Sequence, residues 1–414
     1  MSPGKIAALV LAIVVGLGVI GSKLDLFGKK FTIPETAALS EAMKLPALAS
    51  FTPEQRKATE KLAVDLCTAM RDSNNGDMIA LQDFDGLLER TFSGFQFAAA
   101  ERIKIAEGAK ESLSGRKGGI LDGTLGGNGA FLRLADIHGQ GAALIRVMTP
   151  QGAIVLAYLM PKFTGSEARL VDVFLLATGT FISETMRDVM IPMIGSLKKS
   201  GMGNYNTMLE ASQKLMKARQ SGDNEKVITT CESLPPELRK RPAFRTVYLE
   251  ALMNREDTAA YQRELVRILR EEPDSVTTSF KLMDLYLLKK NWSEAAAAAL
   301  KVEEFVGGEG YLRAMAGMCL SWAGDFEEAA RLFDDAEKME PEMVEVLSFR
   351  LHLDCARGDF PAMVRGMEKM KEKFSRQPTP ELLVADYPKF QEFIDSAEYK
   401  QWKESSSAAP PNEN

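Results

Sequence analysis

The two histidines, His138 and His352, are the side chains best suited to proton transfer near neutral pH. His138 lies in a glycine-rich turn between two predicted strands, and Asp136, Asp172 and Glu184 would approach it if those strands pair in chain order. A carboxylate beside a histidine could serve as an acid-base pair. The alternative is that both aspartates occupy solvent-facing strand positions. We assign the distant His352 to a helix surface rather than to a metal site.

A glycine-rich run, 118-GGILDGTLGGNGAF-131, matches a phosphate-binding loop only in part. Gly118 and Gly123 have the separation found in G-x-x-x-x-G-K-[ST], but Thr124 and Leu125 stand where that motif has Lys and Ser or Thr. The run also precedes a strand instead of joining a strand to a helix. We therefore interpret it as a loop and predict no nucleotide site.

Composition narrows the class of function further. The chain has 414 residues, a net charge of −6 and a pI near 5.4, which argues against binding to nucleic acid. Its cysteines are singly spaced, and we expect them to be buried thiols; they are Cys67, Cys231, Cys319 and Cys355. We predict no catalytic residues, no metal site and no cofactor. An enzymatic activity of the α+β region described below is the alternative.

An apolar segment, 6-IAALVLAIVVGLGVIG-21, lies between Lys5 and Lys23 and is slightly shorter than a bilayer-spanning helix. We predict an uncleaved signal anchor within residues 1–22, with a cleaved signal peptide and a buried helix as alternatives. A linker follows at 23–51. We expect inner-membrane anchoring in a bacterial envelope, with the bulk of the chain extracytoplasmic and a cytoplasmic orientation as the alternative.

Residues 52–200 predict an α+β domain in which helices precede an antiparallel sheet. Thr52 is a suitable N-cap for the first helix, and a second helical stretch follows at 78–92. Alternating β-formers then predict four strands joined by turns too short to contain crossover helices. These strands are 130–137, 143–149, 153–160 and 169–179, and a final helix begins near residue 181.

This order of elements resembles the cone-shaped α+β fold of nuclear transport factor 2. The resemblance implies a cavity between the curved sheet and its helices. Such a cavity suggests two alternative functions for the domain, namely binding of a small apolar ligand or a hydrolytic or isomerase activity.

A period of 34 residues dominates the chain from 201 to 376. Steps of 34 from Ala329 reach Ala295, Tyr261 and Val227 toward the N-terminus and Met363 toward the C-terminus. The turn before each of these positions keeps the same register. Its members are Gly222-Asp223, Glu256-Asp257, Lys290-Asn291, Gly324-Asp325 and Gly358-Asp359. Five units without insertion or deletion predict an array of helical hairpins.

Small residues and a terminal proline make this period resemble the tetratricopeptide repeat (TPR). The resemblance implies an α-solenoid whose helices pack through these residues. They are Tyr286 and Ala295 in unit three, and Gly317, Ala329, Phe333, Ala336 and Pro341 in unit four. Tyr261 and Met363 depart from the family pattern because alanine is expected there.

In TPR proteins the first helices of the units line a concave groove that binds a protein segment. The resemblance implies that the corresponding side chains here bind a partner, although several could instead pack between repeats. They are Phe280, Asp284, Leu287, Tyr311, Met318, Trp322, Ser348 and His352. The Lys and Asn set that clamps a C-terminal carboxylate is absent, since only Lys281 is nearby.

Two further segments end the chain. Residues 377–403 predict a helical cap on the array, with Phe390, Phe393, Tyr399 and Trp402 as buried candidates, and 404–414 predict a polar, disordered tail. The sequence thus predicts a mainly α protein with an N-terminal hydrophobic helix, an α+β domain and an α-solenoid. The function that fits best is a membrane-anchored, non-enzymatic scaffold for protein partners.

Overall fold

The computed structural model describes most of the chain in eight ranges, with a few single residues between them. The ranges are 45–93, 119–121, 127–148, 154–187, 221–271, 276–374, 379–384 and 387–407. The chain divides into two compact units, Met1–Glu264 and Leu265–Asn414. No helix in the described ranges is long and apolar enough to cross a membrane. The predicted anchor at 6–21 and the tail from 408 lie outside them.

Three helices open the described part of the first unit: α1 (Pro53–Arg71), α2 (Asn75–Ala80) and α3 (Phe84–Thr91). Thr52 caps α1 as predicted, because its side chain accepts a hydrogen bond from the Gln55 amide and Gln55 reciprocates. The single helix predicted at 78–92 is wrong. The chain leaves the helix at Leu81–Asp83, where Gln82 bridges to Leu170 of the sheet and Asp83 caps α3.

The described residues contain one antiparallel sheet with five strands in chain order. They are β1 (Asn128–Ile137), β2 (Gln140–Met148), β3 (Ile154–Thr164), β4 (Glu167–Leu175) and β5 (Thr180–Phe181). The meander is as predicted, but the prediction of four strands is wrong. The fifth strand is missed because two residues are too short to show an alternating pattern. Residues 182–187 are helical, and 188–200 lie outside the described residues.

Helix α1 covers the sheet and buries Leu62, Leu66 and Met70 against it. Glycine at position 129 permits this close packing, since a Cβ there would lie 3.0 Å from the backbone of Cys67. All four cysteines are free and buried, as expected. Burial raises the pKa of the Cys67 thiol to about 12, so this thiol is unreactive at neutral pH.

The described residues from 221 to 374 form ten helices, of which nine follow the predicted period and one short helix, Pro236–Arg239, does not. They are α4 (Asn224–Glu232), α5 (Pro236–Arg239), α6 (Pro242–Asn254), α7 (Thr258–Glu271), α8 (Val276–Leu288), α9 (Trp292–Phe305), α10 (Gly310–Ala323), α11 (Phe326–Met339), α12 (Val344–Arg357) and α13 (Phe360–Phe374). The second helices α4, α7, α9, α11 and α13 begin 34 residues apart, and so do the first helices α6, α8, α10 and α12.

The turn before each second helix is the same in all five units. A residue in the left-handed region lies two positions before the helix, with an Asp or Asn between them. The left-handed residues are Gly222, Glu256, Lys290, Gly324 and Gly358, with φ between 56° and 86°. The helical-hairpin period therefore exists in backbone conformation as well as in sequence.

The C-terminal segment adds a short 3₁₀ turn at Pro380–Leu383 and two helices, α14 (Phe390–Asp395) and α15 (Ala397–Ser407). Its four predicted core candidates, Phe390, Phe393, Tyr399 and Trp402, are all at most 4% exposed. They join one hydrophobic core with α12 and α13. This packing covers the end of the helical array.

Candidate partner-binding surface

All eight predicted groove residues lie on the first helices of three successive repeats. Helix α8 carries Phe280, Asp284 and Leu287, α10 carries Tyr311, Met318 and Trp322, and α12 carries Ser348 and His352. Asp284, Met318 and His352 are 34 residues apart and hold equivalent positions. Each helix from α8 to α13 packs against the next one along the chain.

Burial divides these eight residues into two groups. Phe280, Tyr311, Met318 and His352 are buried, and the ring of Tyr311 packs edge-on against Phe349 at 5.2 Å between centroids. The other four are partly exposed; they are Asp284, Leu287, Trp322 and Ser348. The buried residues shape the surface, whereas the exposed ones can contact a partner directly.

Four of the predicted packing residues lie where α10 and α11 pack against each other. A Cβ at Gly317 would lie 3.2 Å from both the Ala329 carbonyl oxygen and the Phe333 ring. Ala329, Phe333 and Ala336 are fully buried. The small glycine and alanine residues let the two helices come close together, and the Phe333 ring fills the remaining space.

The other three predicted packing residues have varied environments. Ala295 is fully buried in α9, and Tyr286 is half-buried in α8. Pro341 is exposed after the end of α11, and its carbonyl accepts a hydrogen bond from Lys373. Exposure of the proline fits a role in ending the helix rather than in packing.

An aromatic cluster joins two of the predicted groove residues to the C-terminal segment. The Tyr387 ring stacks on Trp322 with centroids 4.5 Å apart and an interplanar angle of 7°. It also meets His352 edge-on at 4.7 Å, while Phe390 lies 5.2 Å from His352 on another side. The chain's own segment thus covers one end of the predicted groove.

Two buried polar atoms in this cluster have no hydrogen-bond partner: Nε1 of Trp322 and Nδ1 of His352. Burial lowers the pKa of His352 to about 3, so the imidazole is neutral at physiological pH. A buried polar group without a partner is unfavourable, and such exceptions in native proteins require an explanation. They mark this cluster as a candidate binding site.

Tyr387 is the site residue that the sequence analysis missed. It stands in 386-DYPKF-390, between the 3₁₀ turn and α14, and it has no place in the 34-residue pattern. One signal was available: Tyr387 precedes a proline, and the residue before a proline favours an extended backbone. Lys389 fixes this stretch further, because its Nζ donates to the Ala356 carbonyl at 2.6 Å.

The α+β region arranges its candidate acid-base residues differently from the prediction. Asp172 is fully buried, not solvent-facing, and it accepts hydrogen bonds from Arg90 at 2.9 Å, the Ser183 hydroxyl, and the amides of Val173 and Ser183. No nitrogen of His138 is among its partners. A buried carboxylate with this many donors is a structural group.

His138, Asp136 and Glu184 have structural contacts as well. His138 is exposed, has φ of 50° in the β1–β2 hairpin turn, and packs edge-on against Phe174 at 5.1 Å. Asp136 accepts a hydrogen bond from the Leu48 amide at 2.8 Å, and Glu184 accepts one from the Phe181 amide at 3.1 Å. The described residues also contain no cluster of three metal-ligating side chains.

Comparison with known proteins places few constraints on the chain. No protein-family model matches it, and no curated protein matches it. A solved structure titled "MamA MSR-1 C2" is similar over 47% of this chain and 96% of that chain, with 16% identity and a TM-score of 0.29. A TM-score this low is no evidence of a shared fold.

Proposed function

We propose that this chain is a TPR-like scaffold that binds a protein partner on the first helices of its repeats. The constant 34-residue offset of both helix series carries the proposal. Repeated hairpins place equivalent helices side by side, and such arrays generally use the resulting extended surface for recognition. Partly exposed Leu287 and Trp322 on these helices supply apolar contacts, and Asp284 supplies a charge.

Two matched substitutions test which face of the repeats is used. Leu287 is partly exposed on first helix α8, whereas Met339 is 40% exposed at the end of second helix α11. Full-length protein carrying Leu287→Glu or Met339→Glu would be compared with the wild type by affinity capture from native membranes and mass spectrometry. We expect Leu287→Glu to lose the proteins that the wild type and Met339→Glu retain. Equal capture by the two variants would contradict the proposal.

Binding of a small apolar ligand in the α+β region is the second candidate, and a cavity beside the sheet bears on it. Apolar side chains surround this cavity, among them Ile120, Ile145, Leu175 and Ile182. Its volume is about 10 Å³. That volume suits about one water molecule, whereas ligand pockets measure roughly 300–1,000 Å³. This cavity is therefore too small to hold such a ligand.

The membrane anchor remains a proposal from the sequence, because residues 6–21 lie outside the described residues. Alkaline extraction of native membranes would test it on the full-length chain. We expect the wild type to stay with the membrane and a Val14→Arg, Val15→Arg variant to become extractable, since arginine at the centre of a spanning helix is strongly disfavoured. Extraction of the wild type itself would contradict anchoring, and protease accessibility in intact spheroplasts would test the extracytoplasmic orientation.

A further inference from the structure

We propose that Tyr387 fills a site on this chain to which a protein partner also binds. The partner segment that replaces Tyr387 there carries an aromatic residue followed two positions later by a lysine. This inference rests on the proposed function and specifies the chemistry of the segment that is bound. The site, called here the anchor site, is formed by Trp322, His352 and Phe390.

The contacts of 387–390 define what the anchor site recognises. The Tyr387 ring lies parallel to the Trp322 indole and edge-on to His352, which is an arrangement that suits any aromatic side chain. Lys389 donates to the carbonyl of Ala356 at the C-terminal end of α12, where the helix dipole favours a cation. An aromatic residue and a lysine two positions later thus meet two separate features of the surface.

Tyr387 is an imperfect occupant of this site. It leaves Nε1 of Trp322 and Nδ1 of His352 buried without hydrogen-bond partners. Because His352 is only 4% exposed, solvent cannot readily replace the missing bond. A partner segment that keeps these aromatic and lysine contacts, but whose backbone lies closer to the two rings, can place a carbonyl oxygen near the indole N–H and an N–H group near the imidazole. Such a partner gains two hydrogen bonds that the internal occupant does not make.

Release of Tyr387 does not require the C-terminal segment to unfold. Residues 390–402 are held by a fully buried core that includes Phe390, Phe393 and Trp402. Tyr387 packs against this core but is itself only partly buried, and Leu382 on its N-terminal side is 75% exposed. The tyrosine can therefore leave the anchor site while α14 and α15 remain in place.

A peptide of residues 383–389, LVADYPK, tests the proposal by competing with the internal tyrosine. Its binding to full-length protein would be measured by fluorescence polarisation for the wild type, for Tyr387→Ala and for Tyr387→Leu. While Tyr387 fills the anchor site, the apparent affinity for the peptide is reduced in proportion to the fraction of molecules in which the site is empty. We expect both variants to bind the peptide about tenfold or more tightly than the wild type does. Using two variants keeps the test valid if one of them folds poorly.

Controls separate the anchor site from nonspecific binding. Tyr399→Phe changes another tyrosine of the same segment, which bonds to Glu381, and should bind the peptide as weakly as the wild type. Adding Trp322→Phe to Tyr387→Ala should weaken binding again, and peptides with alanine in place of the tyrosine or the lysine should also bind more weakly.

Equal peptide binding by the wild type and both opened variants would overturn the proposal, and so would a lack of binding to the opened variants. Either result would leave the Leu287→Glu comparison unaffected, because that test concerns the first helices as a whole. If Leu287→Glu and Met339→Glu captured the same proteins while the peptide still bound as expected, the proposed function would be overturned instead.

Discussion

Two buried titratable side chains, Asp172 in the sheet and His352 in the repeats, have opposite surroundings. Asp172 is fully buried, pairs with Arg90 and accepts further hydrogen bonds from Ser183 and Val173. His352 is nearly as buried, yet its Nδ1 has no partner and aromatic rings surround it. A buried carboxylate with a full set of hydrogen bonds, such as Asp172, stabilises the fold. A buried imidazole without a hydrogen bond, such as His352 beneath the Tyr387 ring, is suited to a binding site where a partner side chain replaces that ring.

The largest effect is expected from Asp172→Ala. This change leaves the buried Arg90 guanidinium without its carboxylate, and removing one partner of a buried ion pair costs about 3–5 kcal/mol of unfolding free energy. Chemical denaturation of the variant and the wild type measures the difference. Asp136→Ala is the matched control, because Asp136 is exposed and accepts a hydrogen bond from the Leu48 amide at the surface. Similar losses for both variants would contradict the structural role of Asp172.

Crowding between α10 and α11 should have the next largest effect. Ala329→Leu adds three carbon atoms at a fully buried position whose carbonyl lies close to Gly317, and overpacking of this kind costs about 1–3 kcal/mol. Ala330→Leu makes the same change at the adjacent, partly exposed position and should cost much less. Thermal unfolding measures the stability of both variants. Equal losses of stability would contradict tight packing between α10 and α11 at Ala329.

His352 should make the protein less stable in mild acid. Its folded pKa is about 3, below the usual value of 6.5, so the unfolded chain binds the proton more readily. Stability from this group is complete above the unfolded pKa and falls as the pH drops toward 3, by about 2 kcal/mol between pH 7 and pH 5. Denaturation of the wild type and His352→Leu at both pH values measures it.

Asp354 opposes that trend, so the comparison with the variant is essential. Burial raises the pKa of Asp354 from 3.8 to about 6, and its contribution therefore decreases as the pH rises through this range. The wild-type curve contains both effects, whereas the difference between wild type and His352→Leu isolates the histidine. A pH-independent difference would contradict the buried, neutral state of His352.

The smallest stability effect is expected at Tyr387. Tyr387→Leu removes the stacking on Trp322 but keeps an apolar side chain, and aromatic pairs contribute about 0.5–1.5 kcal/mol beyond their buried area. Urea denaturation followed by Trp fluorescence measures the change. A loss above about 3 kcal/mol, in the range of a fully buried core residue, would show that Tyr387 belongs to the core and is not exchangeable.

The sequence predicted the repeat well because its signals are local. A Gly or other left-handed residue followed by Asp or Asn recurs every 34 residues, and small residues such as Gly317 and Ala329 report where helices touch. The four longer strands were visible for the same reason, since alternation within each strand is a local pattern.

The features that were missed depend on contacts between distant residues. Gln82 interrupts a helical pattern because it bridges to Leu170, and burial of Asp172 depends on Arg90, which is 82 residues away. Tyr387 stacks on Trp322 where α14 and α15 pack on the end of the array, more than 60 residues along the chain from Trp322. No local pattern contains this information, so it requires the folded structure.

The most direct test of the account is a side-chain footprint of the protein bound to a captured partner. Hydroxyl-radical labelling of free and bound full-length protein would compare Leu287 on first helix α8 with Phe305 and Met339 on second helices, both of which are at least 40% exposed. We predict that Leu287 loses reactivity on binding while Phe305 and Met339 keep theirs. Protection of Phe305 and Met339 with Leu287 unchanged would contradict a partner-binding surface on the first helices.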